Sequence, residues 1–181
     1  MTRLIGLYSH APGSGKSTVA VMLQNIGLSD FKKLSLAAPL REFSEKILSA
    51  LGHDGVVLLK DKKEEKVEAI GVSPRQMMQT LGTEWGRSCI HPDLWVMVAE
   101  GSIKKQLKLG RNVVIDDVRF PNEAEMIRRL GGELWLVDRP GVVHDGDHAS
   151  EGALADVLPD EVVRNTGGLV QLYDALKGLL E

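Results

Sequence analysis

His10-Ala11-Pro12-Gly13-Ser14-Gly15-Lys16-Ser17-Thr18 is the stretch that decides the fold. It matches the phosphate-loop (Walker A) pattern G-x-x-x-x-G-K-[ST] at every position except the first, where His10 replaces glycine. Gly13 and Gly15 free the chain to turn its N–H groups onto a phosphate, and a helix opening near Lys16 adds the positive end of its dipole. Lys16 is expected to reach the β and γ oxygens, and Thr18 to offer a donor to the α-phosphate. Ser17 carries the hydroxyl expected on Mg²⁺, a hard ion that takes oxygen ligands and keeps several waters. ATP and Mg²⁺ are therefore the expected cofactors, held by Gly13, Ser14, Gly15, Lys16, Ser17 and Thr18. His10 puts the entry turn in question, because a residue with a side chain is less free at positive φ.

Working outward, the loop stands in the context the motif demands. Leu4 to Tyr8 is an apolar strand before it, and Val19, Met22, Leu23 and Ile26 recur at helical spacing after it. A second unit follows: Leu34 to Ala37 reads as a strand stopped by Pro39, and Leu40, Phe43, Ile47 and Leu51 as a helix ending near Gly52. The run from Lys60 to Lys66 alternates sign and reads as a solvated helix face. Ser73-Pro74-Arg75-Gln76 combines a capping serine, proline at the first helical position and Gln three residues after the cap, which predicts a helix start. Pro92 is expected to open another helix, with Leu94, Trp95, Val98 and Leu107 inward until Gly110. Asn112 to Ile115 and Glu133 to Val137 read as strands around a helix from Glu123 to Leu130. Val162-Val163 precedes a last helix with Leu169, Leu172, Leu176 and Leu179 inward. Apolar strands alternating with helices require a parallel sheet covered on both faces, an α/β architecture with ligands beyond the strands' carboxyl ends.

Composition narrows the partners. The 181 residues suit one domain, and 22 Lys+Arg against 25 Asp+Glu give no broad basic face for polymeric nucleic acid. One cysteine, Cys89, cannot form an internal disulfide and reads as a small buried apolar residue. The N-terminus enters a strand without a basic region or long apolar run, so a cytoplasmic protein with no membrane partner is expected.

A second carboxylate belongs with the phosphate loop. Val113-Val114-Ile115-Asp116-Asp117 is an apolar strand ending in Asp, the Walker B form that serves the metal; Asp116 and Asp117 both remain candidates beside Ser17. Arg41, Arg75, Arg87, Arg119 and Arg139 fall near element ends, where forked donors suit phosphate oxygens, whereas Arg128 and Arg129 lie within a helix. Trp85 and Trp95 flank Arg87, with base stacking and core packing both open to them. His144 and His148, with Asp145 and Asp147 between them, read as a polar loop rather than a metal site.

At this point the chain resembles the bacteriophage deoxynucleoside monophosphate kinases, within the P-loop kinase group that includes adenylate kinase. The resemblance is carried by Ser35-Leu36-Ala37-Ala38-Pro39-Leu40-Arg41, by Arg75 to Arg87 with Leu81-Gly82-Thr83-Glu84, by Pro92-Asp93-Leu94-Trp95, and by Asp117-Val118-Arg119-Phe120 with Asn122-Glu123. It implies a three-layer fold whose five-stranded parallel sheet is ordered 2-3-1-4-5. It also implies a core of residues 1–40 and 110–181, a helical monophosphate-binding insertion at about 41–109, and a small lid at about 139–155. Arg139-Pro140 and His148-Ala149-Ser150-Glu151 resemble parts of that lid, and Val163-Arg164-Asn165 the strand entering the final helix. A homodimer is compatible with the family.

The implied reaction carries the γ-phosphate of ATP to a deoxynucleoside monophosphate. An acceptor phosphate already ionised at neutral pH needs no general base, so positioning and charge neutralisation remain as the work. Lys16, Arg119, Arg139 and Asp117 are the expected catalytic residues, and Arg41, Arg75, Trp85, Arg87, Asp93 and Trp95 the substrate-binding ones. The rival enzyme is a kinase for a hydroxyl acceptor of the dephospho-coenzyme A kinase kind, which wants a carboxylate base after the second strand; Phe31 through Arg41 holds none. A nucleotide-dependent switch is the other rival, and the guanine-reading N-K-x-D sequence is absent.

Overall fold

Leu4 to Tyr8 is apolar at every position, and such a strand is satisfied only inside a sheet covered on both faces. The computed structural model, which describes residues 2–26, 31–141 and 153–180, places it there. β1 (Leu4–Tyr8) is buried throughout and pairs in parallel with β3 (Asn112–Ile115) on one side and β4 (Glu133–Asp138) on the other. β2 (Phe31–Leu34) lies outside β3, and β5 (Glu161–Arg164) outside β4, which gives the order β2-β3-β1-β4-β5 implied by the resemblance.

The chain divides into two compact units, Met1–Ser35 with Ala99–Glu181, and Leu36–Val98. In the first, α1 (Lys16–Asn25) and α7 (Leu169–Leu180) cover one face of the sheet. Val19, Ala20, Leu23, Leu172 and Leu176 pack there on Ile5, Leu7, Val114, Trp135, Val137 and Val163. Fully burying one such aliphatic side chain stabilises by roughly 1.5–3 kcal/mol, so this layer fixes how α1 meets the sheet. α6 (Pro121–Arg129) packs against β1 and β4 through a close approach at Gly6, where an added Cβ would come within 2.4 Å of Ile127 Cδ1.

The second unit is helical. α2 (Ala38–Ala50), α3 (Gly55–Asp61) and α4 (Pro74–Thr80) enclose a small core of Leu48, Leu59 and Val67, with Leu58, Ile70, Met77 and Met78 against it. Ser73 caps α4 by accepting from the Gln76 N–H at 3.2 Å, with Pro74 at the first position, as its sequence predicts. Asp54 caps α3 from the Val57 N–H at 3.0 Å. The stretch Leu81–Ile90 is wound as a π-helix, and α5 (Leu94–Lys108) follows it.

Several elements depart from expectation. The second strand comes earlier, at Phe31–Leu34 rather than Leu34 to Ala37, because Lys32 and Lys33 lie on an edge strand, where long polar side chains are at home. Of the charged run, Lys60 and Asp61 end α3 and the rest forms an exposed turn. Val98 and Leu169 point to solvent, at 40% and 66% exposure, while Val96 and Ile103 take buried places on α5. Cys89 is exposed rather than buried. Among the described residues no helix is long and apolar enough to cross a membrane.

Candidate active site

The phosphate loop leaves β1 and enters α1 through two left-handed glycines, Gly13 at φ 76° and Gly15 at φ 103°. Among the described residues no other residue type has positive φ, so His10 completes the entry turn without the strain its side chain would bring; its ring packs edge-on to Tyr8 at 6.0 Å. α1 begins at Lys16 with no side-chain cap and no acidic residue in its first turn. Its leading N–H groups are therefore left for an anion, unlike those of the side-chain-capped α3 and α4. Ser14 Oγ is buried beside them and has no hydrogen-bond partner among the described residues. These features fit a polyphosphate.

Asn165, just past β5, holds the loop from behind. Its side-chain amide donates to the Ser14 carbonyl at 2.9 Å, and its own N–H donates to the Asp138 carbonyl at 2.7 Å.

The charges gather at the same end of the sheet. The Lys16 ammonium donates to Ser9 Oγ, which in turn donates to the Ala11 carbonyl at 2.8 Å. Burial, and then the Arg119 guanidinium, hold the Lys16 ammonium below the usual lysine range, against the opposing pull of Asp116 and Asp117. Two cations brought within each other's field in a partly desolvated place call for an anion between them. Arg119 is itself exposed, on a turn fixed by the buried Glu123, whose carboxylate accepts from the main-chain N–H of Arg119 at 2.8 Å and of Phe120 at 3.1 Å.

The two aspartates separate cleanly. Asp116 is buried, and its Oδ2 accepts from Ser17 Oγ at 2.9 Å and pairs with Lys33 Nζ at 2.6 Å. Asp117 accepts instead from Ser35 Oγ at 2.6 Å. Ser17 and Asp116 form an oxygen-only donor set suited to Mg²⁺. Arg139 is exposed one residue beyond β4, while residues 142–152 of the expected lid, with His144, Asp145, Asp147 and His148, lie outside the described residues.

In the unit Leu36–Val98, Arg41 is exposed on α2, and Arg75 is exposed and ion-paired with Glu64. Trp85 and Arg87 ride on the π-helical stretch, Trp85 about half exposed and Arg87 half-buried. Asp93, half-buried, precedes α5 and its carbonyl accepts from the Met97 N–H at 2.9 Å. Trp95 takes the packing role of its two alternatives. It is buried, its indole N–H donates to the Gly82 carbonyl at 2.8 Å, and a Cβ at Gly86 would fall 2.5 Å from its Nε1.

The matching model of the family described as "Deoxynucleotide monophosphate kinase" spans residues 49–176. A protein of Acanthamoeba polyphaga mimivirus, provisionally named a deoxynucleotide monophosphate kinase, is 34% identical over 170 residues, covering 88% of this chain and 86% of its own. This chain belongs to the deoxynucleotide monophosphate kinase family. The deoxynucleoside-5'-monophosphate kinase of Escherichia phage T5 is 37% identical over 155 residues, which is 81% of this chain and 58% of the phage protein. The fold is shared more widely: dephospho-CoA kinase of Campylobacter jejuni superposes with a TM-score of 0.55 at 11% identity, covering 99% of this chain and 96% of that one. The family match begins after the phosphate loop, so the loop's reading in this deoxynucleotide monophosphate kinase family member rests on its own geometry.

Ser9 and Lys33 have no place in the sequence motifs, Ser35 and Asn165 enter only inside longer segments of resemblance, and Glu123 enters there and as the start of an expected helix. Glu123 carries a legible signal, an acidic residue in the first turn of a helix opened by Pro121.

Proposed function

We propose that this chain is a deoxynucleoside monophosphate kinase that transfers the γ-phosphate of ATP to a dNMP, yielding dNDP and ADP. The observation that carries the reading is the uncapped start of α1 at Lys16, with Ser17 joined to the buried Asp116. Family membership supports the nucleotide acceptor.

In this reading the N–H groups from Gly13 to Thr18 hold the polyphosphate, and Lys16 leaves Ser9 for the β and γ oxygens. Ser17 and Asp116 would hold Mg²⁺, which would supply positive charge to the polyphosphate. Arg119 and Arg139 stabilise the charge on the migrating phosphoryl group, and Asp117 keeps Ser35 and the end of β2 in place. Arg41, Arg75 and Arg87 are assigned to the acceptor phosphate, with Arg75 leaving Glu64. Trp85 offers the exposed ring face for the base and Asp93 a polar contact. No side chain has to remove a proton from an acceptor that is already an anion.

Incubating the protein with ATP, Mg²⁺ and, in turn, each dNMP and dephospho-coenzyme A, then separating the nucleotides, tests this. The expected product is the matching dNDP in step with ADP. ADP with free phosphate alone favours a switch, and transfer only to dephospho-coenzyme A favours the hydroxyl-acceptor kinase.

A further inference from the structure

Lys33, like Ser9 and Asn165, stands at the phosphate end of the sheet without a place in the motifs, and of these three it is the one that carries a charge. β2 pairs with β3 so that Lys33 stands opposite Val114. Paired residues, and residues two apart along a strand, share a face. Phe31, two residues before Lys33, and Val114 both belong to the apolar layer under α1. Lys33 therefore emerges on the α1 side, and its stem carries the ammonium to Asp116 Oδ2 at 2.6 Å.

That same oxygen accepts from Ser17 Oγ at 2.9 Å. The carboxylate is only 8% exposed, whereas Lys33 is 31% exposed. A buried carboxylate without a counter-charge is strongly destabilising, and here the compensating cation comes from a side chain whose stem can swing to solvent. It meets the carboxylate beside the hydroxyl assigned to the metal.

We infer that Lys33 is a resident counter-ion of Asp116, neutralising it in the nucleotide-free protein and giving it up when the metal–nucleotide loads. The inference rests on the metal–nucleotide reading of this site. Its consequence is that Lys33 sets metal affinity lower than Ser17 and Asp116 would reach by themselves, because loading must break an existing ion pair. Removing the charge should then tighten the metal while weakening the empty protein, opposite effects that a merely structural lysine would not produce.

The test is Mn²⁺ binding, followed by electron paramagnetic resonance at saturating ADP, in the wild type, Lys33→Met and Lys33→Gln, together with melting of each protein free of nucleotide. The glutamine variant keeps a donor to the carboxylate should the methionine variant fold poorly. Both variants are expected to bind Mn²⁺ more tightly, on the order of tenfold for the loss of one competing charge, and to melt lower than wild type when empty. Unchanged or weaker Mn²⁺ affinity in variants whose wild type binds the ion would overturn the inference. A wild type that takes up no Mn²⁺ with ADP would contradict the reading of the site itself, and the inference with it.

Discussion

The side-chain amide of Asn165 donates to the main-chain carbonyl of Ser14 at 2.9 Å and so ties the far end of β5 to the phosphate loop. This bond orients the peptide between Ser14 and Gly15, whose N–H the proposed function assigns to the polyphosphate. Asn165→Ala should therefore raise KM for ATP about 3- to 10-fold, the scale of one hydrogen bond worth about 0.5–1.5 kcal/mol, with the fold retained. Steady-state kinetics at saturating dNMP read it; an unchanged KM would show the bond idle.

Gly15 meets two demands at once. Its φ of 103° disfavours any side chain, and an added Cβ would stand 2.6 Å from Asn165 Nδ2. Gly15→Ala is expected to destabilise by about 1–3 kcal/mol and to abolish nucleotide binding. Combining it with Asn165→Ala removes the collision but not the backbone strain, so the double variant should recover part of the melting temperature. A double-mutant cycle in thermal unfolding measures the coupling, and strict additivity would mean the collision is relieved some other way.

Ser44 is wholly buried in α2, and its hydroxyl has no hydrogen-bond partner among the described residues. Leaving a buried hydroxyl unpaired costs about 1–3 kcal/mol. Ser44→Ala should accordingly stabilise the protein, raising Tm by roughly 2–4 °C per kcal/mol in a chain of this size. Calorimetry decides it, and a lower Tm would show that Ser44 is satisfied after all.

Glu100 on α5 is bonded to Lys104 at 2.6 Å and to Arg129 on α6 at 3.0 Å. The Lys104 hydrogen bond first, and Arg129 with it, hold its carboxyl below the ordinary carboxylate range in spite of the opposing effect of burial. A carboxyl depressed in the folded state stabilises above its unfolded pKa and loses that contribution as pH falls through the folded value. Both basic partners are more than half exposed and screened, so the contribution is under about 1 kcal/mol. Glu100→Gln should lower the urea midpoint at neutral pH, and the gap should close on acidification below the carboxylate range. A gap that persists in acid would assign the effect to packing.

These contacts show where reading the chain works and where it stops. The phosphate loop was legible because its two left-handed glycines, its lysine and its hydroxyl are consecutive and each answers a separate physical demand. The apolar run of β1 announced a strand covered on both faces, and the sheet order came through family resemblance rather than through periodicity. Asn165 was not legible, since its partner lies 151 positions away and a lone asparagine before a helix has many local uses. Lys33 was hidden in a lysine pair that resembles a solvated edge, and the same pair pushed the expected second strand three residues too late. Asp116 and Asp117 meet different hydroxyls past the end of β3, Ser17 for the first and Ser35 for the second, and both partners lie far off in the sequence. Trp95 was open for a similar reason: the Gly82 carbonyl that accepts from its indole N–H and the Gly86 on which its ring packs matter only once the π-helical stretch brings them to it.

The account stands on the N–H groups at the start of α1, with Lys16, taking a nucleotide's phosphates. Titrating the ¹⁵N-labelled protein with ADP and Mg²⁺ while following each amide tests this directly. The largest shifts are predicted at Gly13, Gly15, Lys16, Ser17 and Thr18, and Lys16→Met should strongly weaken them. Saturating nucleotide that leaves those five amides unmoved, or moves only amides elsewhere, would contradict it.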